Sequence, residues 1–221
     1  MSVSPVRLDV DLWLFDLDGV LVDTTRCHRR AFEELWRHVG VNGPPYDRIA
    51  GRRTKEVVIE GTAALAPTPD QLREWTQFKQ QRARDCLARD DIAFPDSADC
   101  LRALSRHGTT LALGTGASRA TTDAVLARYG WSESFAATVT ADDVSQGKPE
   151  PDVYVAAMKQ SGSAPRRTLV IEDSEAGLAA AIASGAYVAS VRSGRVVSSE
   201  RFVGSFPDLV ALRATFAPDR E

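Results

Sequence analysis

A chain of 221 residues with 43% hydrophobic and 26% charged residues has the profile of an ordinary globular protein, long enough for one domain with a large insertion or for two modest domains. Its formal net charge of −3 gives no general positive field for nucleic acid or an anionic membrane, and no stretch approaches the ~18 uncharged apolar residues that span a bilayer. Cys27, Cys86 and Cys100 are odd in number and lack CxxC spacing, so they read as free thiols in a reducing compartment; with no apolar signal core in residues 1–7, a cytoplasmic location is expected. The tail after Pro218 reads as frayed, and there is no internal repeat.

Taken in chain order, the apolar run 12–15 predicts a buried strand over 10–15 that leads directly into Asp16-Leu17-Asp18-Gly19. Residues two apart on a strand share a side, so Asp16 and Asp18 are expected to point the same way, with Gly19 turning the backbone afterwards. Two carboxylates so placed repel unless a cation sits between them or one keeps its proton, and active sites use both outcomes. Residues 24–90 are then helical in pattern, with helices expected over 30–39, 54–64 and 70–87 and turn signals at 40–45 and 67–69. That segment holds thirteen Lys and Arg against nine Asp and Glu, which suits either a basic lid over an acidic base or plain solvated helix faces.

From about residue 96 the pattern alternates. Helices over 97–106, 120–129, 151–160 and 175–184 separate strands over 110–114, 137–140, 168–171 and 187–191, the signature of a parallel sheet covered by helices. Pro151 suits a first helical turn, and Gly185 suits the left-handed residue just past a helix end.

Three further strand ends or loops carry chemistry. The strand 168–171 runs into Glu172-Asp173, and open α/β sheets build sites at the carboxyl ends of their strands, so Asp16, Asp18, Glu172 and Asp173 are expected to converge. Such an acidic cluster needs a cation, and hard oxygen ligands point to Mg2+; Asp173 taken alone also reads as a helix N-cap. Thr115-Gly116-Ala117-Ser118 follows the strand 110–114 and offers hydroxyls and backbone N–H groups to a phosphate, or is simply a βα turn with a serine cap. Lys148 lies in Gln146-Gly147-Lys148-Pro149-Glu150-Pro151, where a fixed, turned path would aim it, although a surface lysine is the usual fate of that residue type.

These motifs, Asp16 to Asp23 (DLDGVLVD), Thr115, the Gly-Lys-Pro at Lys148 and Glu172 to Gly177 (EDSEAG), occur in order over nearly the whole chain and resemble those of the haloacid dehalogenase-like superfamily. Within it they are similar to the branch of β-phosphoglucomutase, phosphoglycolate phosphatase and small sugar-phosphate phosphatases. The resemblance implies an α/β fold, a Rossmann-like doubly wound parallel sheet core from 1–23 and 91–221 with an α-helical cap domain inserted at 24–90. It implies Asp16 as a nucleophile that forms an aspartyl phosphate, Asp18 as acid and then base, Thr115 and Lys148 against the phosphoryl group, and Mg2+ held by Asp16, Glu172, Asp173 and the Asp18 carbonyl. Gly116, Ala117 and His28 are then expected at the substrate, and Arg52 and Lys79 either there or as solvated helix charges.

The resemblance implies a phosphatase acting on a small phosphorylated metabolite, sugar- or polyol-like, without nucleic acid or membrane as partner, and a monomer or weak homodimer. A hexose phosphate mutase is the alternative, since it shares the core residues. In that subgroup, however, an arginine follows the glycine of a GxSR pattern by three residues, and after Gly51 that place is Thr54. A dehalogenase has no leaving oxygen for Asp18 to protonate, a phosphonatase needs an amine-forming lysine such as Lys55 or Lys79, and a non-catalytic binding protein has no use for all of Asp16, Asp18, Lys148, Glu172 and Asp173.

Overall fold

A computed structural model of the chain describes residues 8–49 and 52–217; residues 1–7, Gly51 and the tail from Pro218, on which the reading above touches, lie outside the described residues. The element order is β1 (Leu12–Phe15), α1 (Thr25–Val39), α2 (Tyr46–Ile49), α3 (Thr54–Thr62), α4 (Pro69–Arg89), α5 (Ser97–Arg106), β2 (Thr110–Gly114), α6 (Arg119–Tyr129), β3 (Ala137–Val139), α7 (Asp152–Gln160), β4 (Thr168–Glu172), α8 (Glu175–Ala183), β5 (Tyr187–Val191), β6 (Phe202–Phe206) and α9 (Leu209–Phe216). Contacts group the chain into two compact units, Met1–Asp23 with Ala93–Glu221, and Thr24–Ile92.

The first unit is a six-stranded sheet, among the described residues, in the order β3-β2-β1-β4-β5-β6 with every pairing parallel. This is the expected Rossmann-like α/β architecture, and the order reverses between β1 and β4, where such sheets open a crevice. Buried on both faces, β1 and β4 read as continuous apolar runs. Leu12 and Leu14 share a core with Ala112, Val170 and Val188, covered by Tyr154 and Met158 of α7 and Leu178 of α8, while alternation turns Trp13 and Phe15 to the other face. Each such large apolar side chain contributes about 1.5–3 kcal/mol by burial.

β6 and α9 are additions to the sequence reading. β6 is an edge strand of partly buried residues, and Gly204 at φ 144 interrupts the usual strand pattern. The helix ends follow their local chemistry: Gly185 has φ 81 after α8, and Pro151 caps α7 from just outside it.

The second unit packs α1, α3 and α4 around Phe32, Leu35, Trp36, Val57, Val58 and Trp75. Trp36 fits because Gly43 and Gly61 lack side chains, since a Cβ would lie 2.2 Å from the indole at Gly43 and 2.6 Å from it at Gly61. Helix α1 starts at Thr25, five residues before the expected start, and ends on left-handed Gly40; α4 opens with a Thr68–Gln71 capping box. The expectation of three free thiols is corrected here. Cys27 near the start of α1 and Cys86 near the end of α4 form a disulfide across 59 residues, and Cys100 is buried and free. Packing of α1 on α4 brings the two together, a proximity that sequence spacing does not carry, and the cysteine argument for a reducing compartment falls with it. No helix among the described residues is long and apolar enough to cross a membrane.

Candidate active site

β1 delivers Asp16 to the sheet's carboxyl edge, and the Asp16 N–H donates to the Ile171 carbonyl at 3.0 Å, which ties the end of β1 to the end of β4. Beyond it the chain turns tightly. Leu21 and Val22 both donate backbone N–H groups to the Leu17 carbonyl, and Gly19 donates to Val22 at 2.7 Å. Gly19 has φ 82, and a Cβ on it would overlap the Asp173 carboxylate, so the turn needs glycine for both its dihedral and its close approach. Asp18 therefore lies on this turn and not on the strand.

Lys148 is aimed into the sheet edge and is not a surface lysine. Its Nζ donates to Asp16 Oδ1 at 2.7 Å and to Glu172 Oε1 at 2.6 Å, and all three side chains are nearly buried. Burial works against the Lys148 charge, but Asp16 and Glu172 outweigh it and hold the ammonium above its ordinary range. Burial pushes Asp16 well up; Lys148 opposes this, while the charges of Glu172 and Asp18 add to it.

Glu172 is the most heavily bonded group of the site. Oε1 accepts from Lys148 and, at 2.6 Å, from the Tyr154 hydroxyl. Oε2 accepts from the Asp173 N–H at 2.8 Å and from the Ser174 N–H and hydroxyl at 3.0 Å each. Against the cost of burial, Lys148 and these donors keep it below the ordinary carboxylate range. Gly177 leaves the room, since a Cβ there would overlap the Glu172 carboxylate. The helix cap of α8 is Ser174, whose hydroxyl accepts from Gly177 N–H, so Asp173 is released from the capping role that its type suggests.

Thr115, buried after β2, accepts from the Ala117 N–H at 3.1 Å, and Ser118 caps α6. The 115–118 turn is thus both a capped βα turn and a hydroxyl-bearing edge on the strand next to β1. Tyr154 was not foreseen as part of this neighbourhood. Its position in an apolar helix reads as core, and only the run Lys148-Pro149-Glu150-Pro151 that leads into α7 hints that the helix begins at a site.

In the second unit, Lys79 is 3% exposed, so the solvated-charge reading fails for it. Its Nζ lies 2.7 Å from His28 Nδ1, 3.4 Å from Thr54 Oγ1 and 4.4 Å from the centre of the Phe32 ring. Burial, then the Lys79 charge, lowers His28 to about 3, which leaves it neutral at ordinary pH. Arg52 is exposed and pairs with Glu60 at 2.7 Å.

One group in the first unit has the donor set of a hard cation. Ligand atoms of Asp16, Glu172 and Asp173 lie within 4.8 Å of one another. Burial, then the charges of Glu172 and Asp18, push Asp173 up to about 7, a repulsion that a cation relieves. All the donors are oxygens and the cradle depends on Gly19 and Gly177, so the residues present fit Mg2+.

A parallel α/β sheet with acidic groups and a buried lysine at its switch point puts charged groups where open α/β sheets bind their ligands. The profile of the haloacid dehalogenase-like hydrolases matches residues 10–185, and the chain belongs to that family. Among its relatives, the fructose-1-phosphate phosphatase YqaB of Escherichia coli (strain K12) is 33% identical over 190 residues, covering 81% of this chain and 95% of that protein. The validoxylamine A 7'-phosphate phosphatase of Streptomyces hygroscopicus subsp. limoneus is 30% identical, covering 79% and 82%. The crystal structure of CbbY from Rhodobacter sphaeroides in complex with phosphate superposes with a TM-score of 0.74 at 26% identity, over 92% of this chain and 96% of that one.

Proposed function

We propose that the protein is a Mg2+-dependent phosphatase that releases inorganic phosphate from a small sugar- or polyol-like phosphomonoester through an aspartyl phosphate on Asp16. The observation that carries this reading is the buried bridge of Lys148 between Asp16 and Glu172, at 2.7 and 2.6 Å, at the ends of neighbouring strands. In this reading the unit of 1–23 with 93–221 is the catalytic core and the unit of 24–92, which ends two residues later than expected, is the cap. A phosphoryl transfer asks for positioning and charge compensation more than for covalent invention, and the bridge supplies both.

An Asp16 carboxylate oxygen attacks phosphorus as the ester P–O bond breaks, and Asp18 gives its proton to the departing alcohol oxygen. Water then attacks the phosphoryl phosphorus, Asp18 takes the water's proton, and the Asp16 O–P bond breaks to restore the carboxylate and free phosphate. Lys148, held protonated, stabilises the charge that builds on the phosphoryl oxygens. The Thr115 hydroxyl, whose oxygen accepts from the Ala117 N–H, is the proposed donor to a phosphoryl oxygen, with the Gly116 N–H as the proposed second donor. Bound by Asp16, Glu172, Asp173 and the Asp18 carbonyl, Mg2+ would supply positive charge against those oxygens.

The substrate class is supported by the relatives' names, fructose-1-phosphate phosphatase and hexitol phosphatase A among them. His28, Lys79 and, less directly, Arg52 with its Glu60 partner are the substrate contacts proposed in the cap. Thr54 stands where the mutase pattern puts arginine and accepts from Lys79, which favours water over a sugar hydroxyl as the second attacker. Phosphate monoesters are charged and stay where they are made, which supports a cytoplasmic setting; the Cys27–Cys86 disulfide weighs the other way.

The test is phosphate release from a panel with Mg2+, including fructose 1-phosphate, hexitol phosphates and β-glucose 1-phosphate, scored by kcat/KM. A clear preference is expected, and Asp16→Asn is expected to lower it by on the order of 10³ or more. Absence of turnover across the panel, or full activity in the Asn variant, overturns the assignment.

A further inference from the structure

We infer that Tyr154 is a positioning residue of this site, whose hydroxyl and ring set how Lys148 is shared between Asp16 and Glu172. The inference rests on the phosphatase reading above and assigns a role to a residue that the reading itself does not use.

Tyr154 lies in the first turn of α7, with its N–H donated to the Pro151 carbonyl at 3.0 Å, and it is fully buried. Toward a carboxylate oxygen a phenol hydroxyl acts as donor. The donor goes at 2.6 Å to Glu172 Oε1, the same oxygen that accepts from Lys148 at 2.6 Å. The ring meanwhile lies under the ammonium, with Nζ 4.7 Å from its centre. One side chain therefore touches both ends of the Lys148–Glu172 pair.

A single ammonium here divides itself between two carboxylates at almost equal distance. Glu172 Oε1 takes two donors and Oε2 three, and on a shared oxygen each donor weakens the claim of the other. The Tyr154 hydroxyl thus loosens the hold of Glu172 on Lys148 and leaves the ammonium drawn toward Asp16, the atom that the reaction uses. The ring face then blocks retreat, since a cation on an aromatic face is attracted and not merely tolerated. Space for the ring is provided by Gly114 at the end of β2, where a Cβ would lie 2.9 Å from Tyr154 Cδ1.

Tyr154→Phe keeps the ring and deletes the donor. The expected result is a protein that melts as one cooperative unit, with kcat lower by about tenfold or more and KM within about twofold, because the loss falls on charge placement in the transition state and not on substrate contacts. Binding of orthovanadate with Mg2+, measured by calorimetry, should weaken in step with kcat. Gly114→Ala is the second variant, and it displaces the ring without removing the hydroxyl; it should show the same split between kcat and KM even if Tyr154→Phe fails to fold. If either folded variant keeps kcat and orthovanadate affinity within twofold of an active wild type, Tyr154 is core packing alone and the inference is wrong. A wild type without any phosphatase activity removes the proposed function first, and this inference with it.

Discussion

Each of the two units buries a lysine, and the two burials differ in kind. Lys148 in the first unit touches two carboxylates and an aromatic face, while Lys79 in the second meets a neutral imidazole, a hydroxyl and an aromatic face. A cation between two anions is locked by strong, directional bonds and stays charged, so it can answer charge that builds and decays during a reaction. A cation on a histidine lone pair keeps that histidine neutral, since a second positive charge 2.7 Å away is repelled. In the proposed reaction the first arrangement serves transition-state charge; the second sets the protonation state of a hydrogen-bonding side chain.

The sharpest break of this comparison is Lys148→Ala. It leaves Asp16 and Glu172 facing each other in a buried site, and unfolding titrations should report a loss of about 3–5 kcal/mol. Mg2+ should return part of that loss in the variant, because a cation takes over the missing compensation. Full stability without Mg2+ would mean that the two carboxylates do not sense each other.

Proton competition at Asp173 gives the next effect. Its raised value of about 7 means that the metal-free site takes up a proton as pH falls through neutrality, so Mg2+ affinity by calorimetry should fall about tenfold per pH unit below 7 and level off above it. A flat profile from pH 5 to 7 would separate Asp173 from the cation.

The smallest effect belongs to the second unit. His28 titrates near 3 when folded and near 6.5 when unfolded, so between these values only the unfolded chain holds the extra proton. Stability contributed here is present above about 6.5 and is lost as pH falls toward 3, by about 2 kcal/mol between pH 7 and 5. His28→Gln should flatten that slope in urea titrations while leaving the Mg2+ profile of the first unit as it was.

Local pattern carried much of this molecule. β2, β5 and α5 have the bounds that their apolar periods predict, and the Asp16–Gly19 and Glu172–Gly177 motifs stand at the ends of adjacent strands because apolar runs stop where they do. β6 and α9 escaped for the opposite reason: an edge strand is only half-covered, so its residues need not follow a buried pattern. The three arginines near residue 30 hid the first turn of α1, which is helical because Cys27 and Ala31 pack inward.

Residue types and their order along the chain determined the α/β class, the acidic and basic groups at the strand ends and the family, since these follow from periodicity and from short motifs that one strand and one turn contain. The Cys27–Cys86 bond, the neutral state of His28 beside Lys79, and the Tyr154 hydroxyl on Glu172 were decided by tertiary packing alone. Each joins atoms carried by different elements, so its existence depends on how helices and strands stack, and burial then sets which protons and charges those atoms keep.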